Sequence, residues 1–289
     1  MKTRILLAGL AVCGGLTVFA DSLTQSTFTE VIHDVNVVVP TTHAATPAKV
    51  NELFKTPDLV RTGPDSRTEL TAPDQTITRV GANTVFSFEP EGRNLNLEKG
   101  SILFHSPGGK GGGTIKSGGA AAAVLGTTLI VAATDNGGFK VIVLEGKGRV
   151  TLPNKNSVTL NAGQMVFVLP GQSTFGPKLD INLGKLVAGS QLVNGFSRPL
   201  SSLPLIQQAI GRQNKEIAKG RAQDTGISAN QIAGGPLVGN GLDALDNHAY
   251  QSAVGTPITA AQLKLISGPQ AGPPSRPNLG GSGVVLVSP

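Results

Sequence analysis

Tryptophan is absent from this 289-residue chain, tyrosine occurs once, and cysteine occurs once, at Cys13. A single cysteine excludes an intrachain disulfide framework and any site built from several thiolates. Without Trp and with one Tyr, the chain lacks the usual aromatic platforms for sugars, and stacking on bases has no support. Charge is also sparse. Only 15% of residues are charged, well under the usual quarter of a soluble chain, and the formal balance is a mild +6. No cluster of Lys and Arg interleaved with aromatics occurs, so the sequence gives no nucleic-acid footprint. Beyond the first twenty residues no segment approaches the eighteen apolar residues of a membrane helix.

What is present begins with "MKTRILLAGLAVCGGLTVFADS". Lys2 and Arg4 form a basic start, residues 5–19 an apolar core, and Val18 and Ala20 a small-residue cleavage pattern before Asp21. This is the layout of a secretory signal peptide over residues 1–20, so the mature protein is expected to be periplasmic or secreted. "LAVC" offers a competing reading as a lipoprotein box that would leave a lipid on Cys13. Val12 fits that box poorly. After ordinary cleavage no integral span is expected.

The aromatic residues set the domain plan. Eight of the ten Phe lie between Phe28 and Phe175, and past Phe196 only Tyr250 is aromatic. A core needs large apolar side chains to offset chain entropy, so the folded body is expected over residues 26–197. Within it, short alternating runs mark half-buried strands. Phe86 and Phe88 oppose Asn83, Ser87 and Glu89, and Leu95 and Leu97 oppose Asn94, Asn96 and Glu98. Lys99 and Gly100 read as a turn before Ile102 and Phe104. "TTLIVAATDNGGFKVIVLEG" is apolar on both faces and reads as a central hairpin covered on each side. Many short strands with turn residues, in a chain of 38 Gly and 19 Pro, predict a mainly β fold: an antiparallel sandwich or roll. A helix is expected within residues 198–220. Ser201 or Ser202 would cap it, Pro204 would sit in its first turn, and Leu203, Ile206, Ile210 and Ile217 would line one face. Residues 221–289 read as a flexible Gly/Pro-rich tail. A short helix is possible near 256–268, and an edge strand at the end.

The stretch "SPGGKGGGTIKSGGAAAAVLGTTLIV", residues 106–131, looks at first like a phosphate loop. A P-loop needs Lys followed by Ser or Thr, but Lys110 precedes Gly111 and Lys147 precedes Gly148. The stretch therefore reads as a loop between strands, with a weak anion nest as the lesser alternative. No catalytic, cofactor or metal residues are assigned. Of His33, His43, His105 and His248, only His33 has acidic neighbours, Glu30 and Asp34, and these read as a solvated face rather than a metal site. His105 reads as the polar side of its strand. Glu69, Asp74, Glu89 and Glu91 are the densest carboxylates and read as surface charge flanking turns, not as a glycosidase pair.

Several short motifs, in order, resemble the FecR domain family over roughly residues 49–171. They are Thr62 with Gly63, Ser66 with Arg67, Glu69 with Leu70, and Arg79-Val80-Gly81. Gly126-Thr127-Thr128, Val143-Leu144-Glu145-Gly146 and Ala162-Gly163-Gln164 follow. On the sequence they read as strand ends and turns rather than a polar constellation. The resemblance implies an all-β domain of the cell envelope. Its best-known members regulate iron uptake, taking a signal from an outer-membrane receptor to a sigma factor. Those members carry a cytoplasmic anti-sigma segment and a membrane helix, for which this chain shows no counterpart. The reading reached is a non-enzymatic binding or structural module for another envelope component, protein or polysaccharide. A periplasmic signal-sensing protein is the alternative, and a polysaccharide hydrolase a remote third. The partner-binding residues and oligomeric state stay open.

Overall fold

The computed structural model describes residues 22–134, 137–168, 171–176, 178–228 and 283–287. Among them are nineteen strands and three helices, and the fold is mainly β as the alternation predicts. The leader, Cys13, His248 and the possible helix near 256–268 lie outside the described residues.

The strands form two layers. In the first, the order is β4 (Leu53–Lys55), β1 (Gln25–Ile32), β6 (Arg67–Thr71), β7 (Ile77–Val80), then β9 (Asn94–Ser106). It continues through β12 (Thr127–Ala133), β13 (Phe139–Glu145), β16 (Gln164–Val168) and β17 (Leu179–Ile181). The second layer runs β3 (Ala45–Pro47), β2 (Val35–Val38), β5 (Leu59–Thr62), β8 (Val85–Phe88), β9, β10 (Gly113–Ser117), β11 (Ala120–Val124), β14 (Lys147–Thr151) and β15 (Ser157–Asn161). All these pairs are antiparallel except β9 with β10.

β9 belongs to both layers. Its first half pairs with β8 and β10, its second half with β7 and β12. The change of sheet falls at Gly100, where φ is +93°. The turn expected at Lys99 and Gly100 is therefore a bend inside one thirteen-residue strand. Thr84 holds the corner. Its hydroxyl accepts from Ser101 N at 3.0 Å, and its own amide donates to Thr62 Oγ1 at 2.9 Å. A Cβ on Gly100 would press into Thr84, reaching its Cα at 2.5 Å.

Between the layers lies one apolar core, with the tilted rings of Phe28, Phe54, Phe86 and Phe88 packed at 5.3–5.9 Å at one end. Alternation decides which residues enter it: Phe86, Phe88, Leu95 and Leu97 point inward, as their spacing predicts. β12 and β13 are buried along their whole length. Their odd-numbered side chains, such as Leu129 and Val141, face the second layer. Ile130, Ile142 and Leu144 face away, into a second core built with Met165 and Phe167. That core is closed by α1 (Leu183–Gly189), α2 (Gln191–Asn194) and α3 (Leu203–Ala218). The hairpin expected to be covered on both sides is covered by a sheet on one side and helices on the other.

α3 uses Ile206 and Ala209 against the sheet, with Leu203 and Ile210 partly buried beside them. Gln213 locks it to the preceding segment, accepting from Leu183 N at 2.8 Å and donating to Ile181 O at 2.7 Å. Within the segment expected as a flexible tail, β18 (Ala222–Ser228) and β19 (Gly283–Val287) are strands. β19 pairs with β17, and β18 with β19.

Substituting Gly100→Ala tests the corner. The left-handed φ and the contact with Thr84 should together cost about 2–4 kcal/mol in urea denaturation. Unchanged stability would mean that β9 does not bend there.

Candidate functional site

Glu69, Arg79 and Thr128, three of the motif residues, lie on the outer face of the first layer, beneath the helices. On β6 and β7, Glu69 and Arg79 are register partners, and both project away from the main core. Arg79 is 0% exposed, and its Nε donates to Glu69 Oε2 at 2.8 Å. The rest of its fork reaches the main chain after α1: Nη1 donates to Val193 O at 2.8 Å and Leu192 O at 3.2 Å, and Nη2 to Arg198 O. The Phe196 ring lies over the guanidinium, 4.3 Å from its carbon. Thr29 of β1 donates its hydroxyl to Glu69 Oε1 at 2.8 Å, so both carboxylate oxygens are engaged.

Two neighbours extend this socket. Arg67 Nε donates to Gly195 O at 2.6 Å, and Glu30 accepts from Ser197 N at 3.0 Å and from its hydroxyl at 2.7 Å. The loop between α2 and α3 is thus gripped by its backbone from three strands. Burial pulls the Arg79 guanidinium below its ordinary range, while the Glu69 hydrogen bond and the charges of Glu69 and Glu30 push it back up. The guanidinium stays charged because its ordinary value lies so far above neutrality.

A second cluster sits at the end of β9, β12 and β13. Thr128 Oγ1 stands 2.8 Å from Glu145 Oε1, 2.8 Å from Ser202 Oγ and 2.9 Å from His105 Nδ1. A hydroxyl has one proton, so Thr128 donates to Glu145 or to Ser202 but not to both at once. Ser202 is the residue before α3, as expected, but it makes no side-chain cap; its hydroxyl is turned into this cluster. All four groups are buried. Burial raises the Glu145 carboxyl above the usual range, against the pull of the Thr128 hydrogen bonds, and burial lowers the His105 imidazole. Lys140 of β13 is also buried, and desolvation brings its ammonium down to about 7. Between there and the ordinary range the unfolded chain holds a proton that the folded one does not, so this group adds stability as pH rises.

Three sequence expectations change here. Glu69 is not surface charge but half of a buried ion pair, because β1 and the α2–α3 loop cover the face on which it sits. His105 is buried among polar partners rather than lying on an open strand face. The motif residues do form polar constellations, two of them. The clue available was the placement of a charge opposite Leu70 and Val80 in strands whose other face is core. Asp74 pairs with Arg93 at 2.7 Å and Glu89 with Lys116 at 2.7 Å, so the four carboxylates do not converge. Glu91 stays exposed on its turn. His33 is exposed and bonded through Nδ1 to Asp65 O at 2.8 Å, and among the described residues no His/Cys/Asp/Glu group is arranged to hold a metal. Nor is any described helix long and apolar enough to cross a membrane.

Residues 58–149 match the family model described as FecR protein. Two crystal structures of a candidate anti-sigma factor from Parabacteroides distasonis ATCC 8503 are similar to the chain. One, at 1.65 Å, is 21% identical with a TM-score of 0.40. The other, at 2.50 Å, is 19% identical with a TM-score of 0.39. Each comparison covers 45% of this chain, and 63% and 64% of the other. The chain thus matches less than two thirds of their length. No curated protein matches the sequence.

Two experiments follow. Arg79→Leu strands Glu69 and three carbonyls and should cost about 3–5 kcal/mol, whereas the Glu69→Leu, Arg79→Leu double variant should cost clearly less than the two single changes summed. Strictly additive costs in urea unfolding would show that the pair is not coupled. Glu145→Gln tests the second cluster. Ionising a carboxyl whose folded pKa is raised lowers stability as pH climbs from the unfolded value through the folded one. The variant should therefore gain on the parent as pH rises from about 4.5 to 8, and a pH-independent difference would refute the assignment.

Proposed function

This chain carries a FecR domain over residues 58–149, and on that premise we propose that it is a signal-regulatory protein of the cell envelope, working by binding rather than turnover. The carrying observation is the family match itself. The geometry supports it through the use made of the motif residues. Glu69, Arg79, Thr128 and Glu145 are the polar groups that the family-type motifs bring into the fold's interior. Here they bond to each other and to residues 192–202, within two buried clusters.

In this reading the leader exports the protein, an envelope protein docks on the domain, and the polar grip on the α2–α3 loop passes the event to the C-terminal layer. Coupling of that kind requires a packed element with defined contacts at both ends, which the loop has at Arg79 and Ser202. A polysaccharide ligand fits less well, since the chain has no Trp and a single Tyr for a sugar-stacking platform.

The test is genetic. Deleting the gene in its native cell should alter a small group of transcripts. The parent gene should restore them, while Arg79→Ala, matched for envelope abundance, should not. Unaltered transcripts on deletion would leave a passive structural module and sink the regulatory reading.

A further inference from the structure

The glycine loop at residues 107–112 has no part in the site above, and its structure gives it a different setting. Residues 107–112 connect β9 to β10, and three of their glycines, Gly109, Gly111 and Gly112, have positive φ. Arg93 holds the loop from beneath, donating Nε to Gly112 O at 2.6 Å. The loop lies on the β11–β12 turn: a Cβ on Gly126 would meet Gly108 Cα at 3.3 Å, and one on Gly112 would meet Leu125 Cα at 3.2 Å. On the other side the same turn touches the start of β14, where Thr127 Oγ1 donates to Lys147 O at 2.9 Å. Three turns therefore form one tip.

Leu125 stands at this tip, 73% exposed, the most open of the large apolar side chains among the described residues. Around it are exposed Lys110 on the glycine loop, Lys147 beside Thr127, and Arg149, which is paired in register with Ala123 two residues before Leu125. Little negative charge opposes them. Glu145 is turned inward to Thr128, Asp74 is paired with Arg93, and Glu89 with Lys116, leaving Glu91 on the adjoining β8–β9 turn. The tip combines an exposed leucine with three exposed cations on and beside its turns.

We propose that this tip is a docking site for an anionic lipid surface, with Leu125 entering the headgroup region and Lys110, Lys147 and Arg149 meeting lipid phosphates. Size and shape favour lipid over an acidic protein. A stable protein interface needs about 800 Å² on each side, which one leucine and three turns do not offer. A bilayer needs no matched surface, and it rewards an apolar residue at a loop tip flanked by basic ones. The glycines keep bulk away from the contact, so the lysines and backbone amides can approach phosphate closely.

The experiment is vesicle co-sedimentation of the full chain. Vesicles contain either phosphatidylcholine alone or roughly 30% phosphatidylglycerol. Parent and variants share residues 1–20, so any contribution of the leader cancels in the comparison. The parent should prefer anionic vesicles, and the preference should shrink as salt rises from roughly 50 to 300 mM. The Lys110→Gln, Lys147→Gln, Arg149→Gln triple variant should bind anionic vesicles at least about tenfold more weakly, and Leu125→Asn about threefold. All four residues are exposed, so matched circular dichroism should confirm that the variants fold. Equal binding by parent and triple variant overturns the proposal. So does binding that ignores Leu125. If soluble polyglutamate is bound while vesicles leave the protein in the supernatant, the tip serves an acidic protein and the lipid assignment fails.

Discussion

The ion pair of Arg79 and Glu69 is the constraint around which the outer half of this molecule is arranged. A buried guanidinium is tolerated only when its donors are met, and here a carboxylate, three backbone carbonyls and an aromatic ring surround it. The carbonyls belong to residues that lie more than a hundred positions further along the chain. Sheet and C-terminal layer must therefore come together for either to be complete. Glu69 fixes the guanidinium within the sheet, because Thr29 and Arg79 occupy its two oxygens.

This has a consequence for the extent of the folding unit. The family match covers residues 58–149, yet the strands inside it depend on partners outside. β6 pairs with β1, β5 with β2, and β13 with β16. Ile130, Ile142 and Leu144 would face water if the residues after 178 were absent. The matched stretch supplies the corner at Gly100 and the two polar clusters, and the flanks supply the surfaces that bury them. The physical module is larger than the recognisable one.

That asymmetry explains what could be read from sequence. Strand alternation is local, so Phe86, Phe88, Leu95 and Leu97 announced their burial through period two alone. The unbroken apolar runs of β12 and β13 announced a sheet covered twice. The helix near 203–218 was legible from its stripe and stop. The bend at Gly100 was not, because a turn and a strand that changes sheets ask for the same glycine conformation. Glu69 was misread for a related reason. In a strand with one buried face, the polar side normally meets solvent, and only a partner far along the chain decides otherwise. His105 followed the same pattern, since its cover comes from Ser202 and Thr128 rather than from any neighbour in its own strand. Nonlocal polar pairing leaves almost no periodic trace.

The two cores also differ in what fixes them. Between the sheets, interlocking phenylalanines and a shared strand leave little freedom of register. Beneath the helices the contacts are largely Leu, Ile and Val, and apolar contact is non-directional, so those side chains alone would let the layer slide. Arg79 removes that freedom because its planar fork meets Val193, Leu192 and Arg198 carbonyls in a single placement. Ser202 does the same at the start of α3 through Thr128. With register set at two points by polar groups, and with Leu200 buried in the second core between them, the loop is fixed by both polar and apolar contacts. Directional polar contacts fix the placement of this segment over the sheet, which a purely apolar contact would not do.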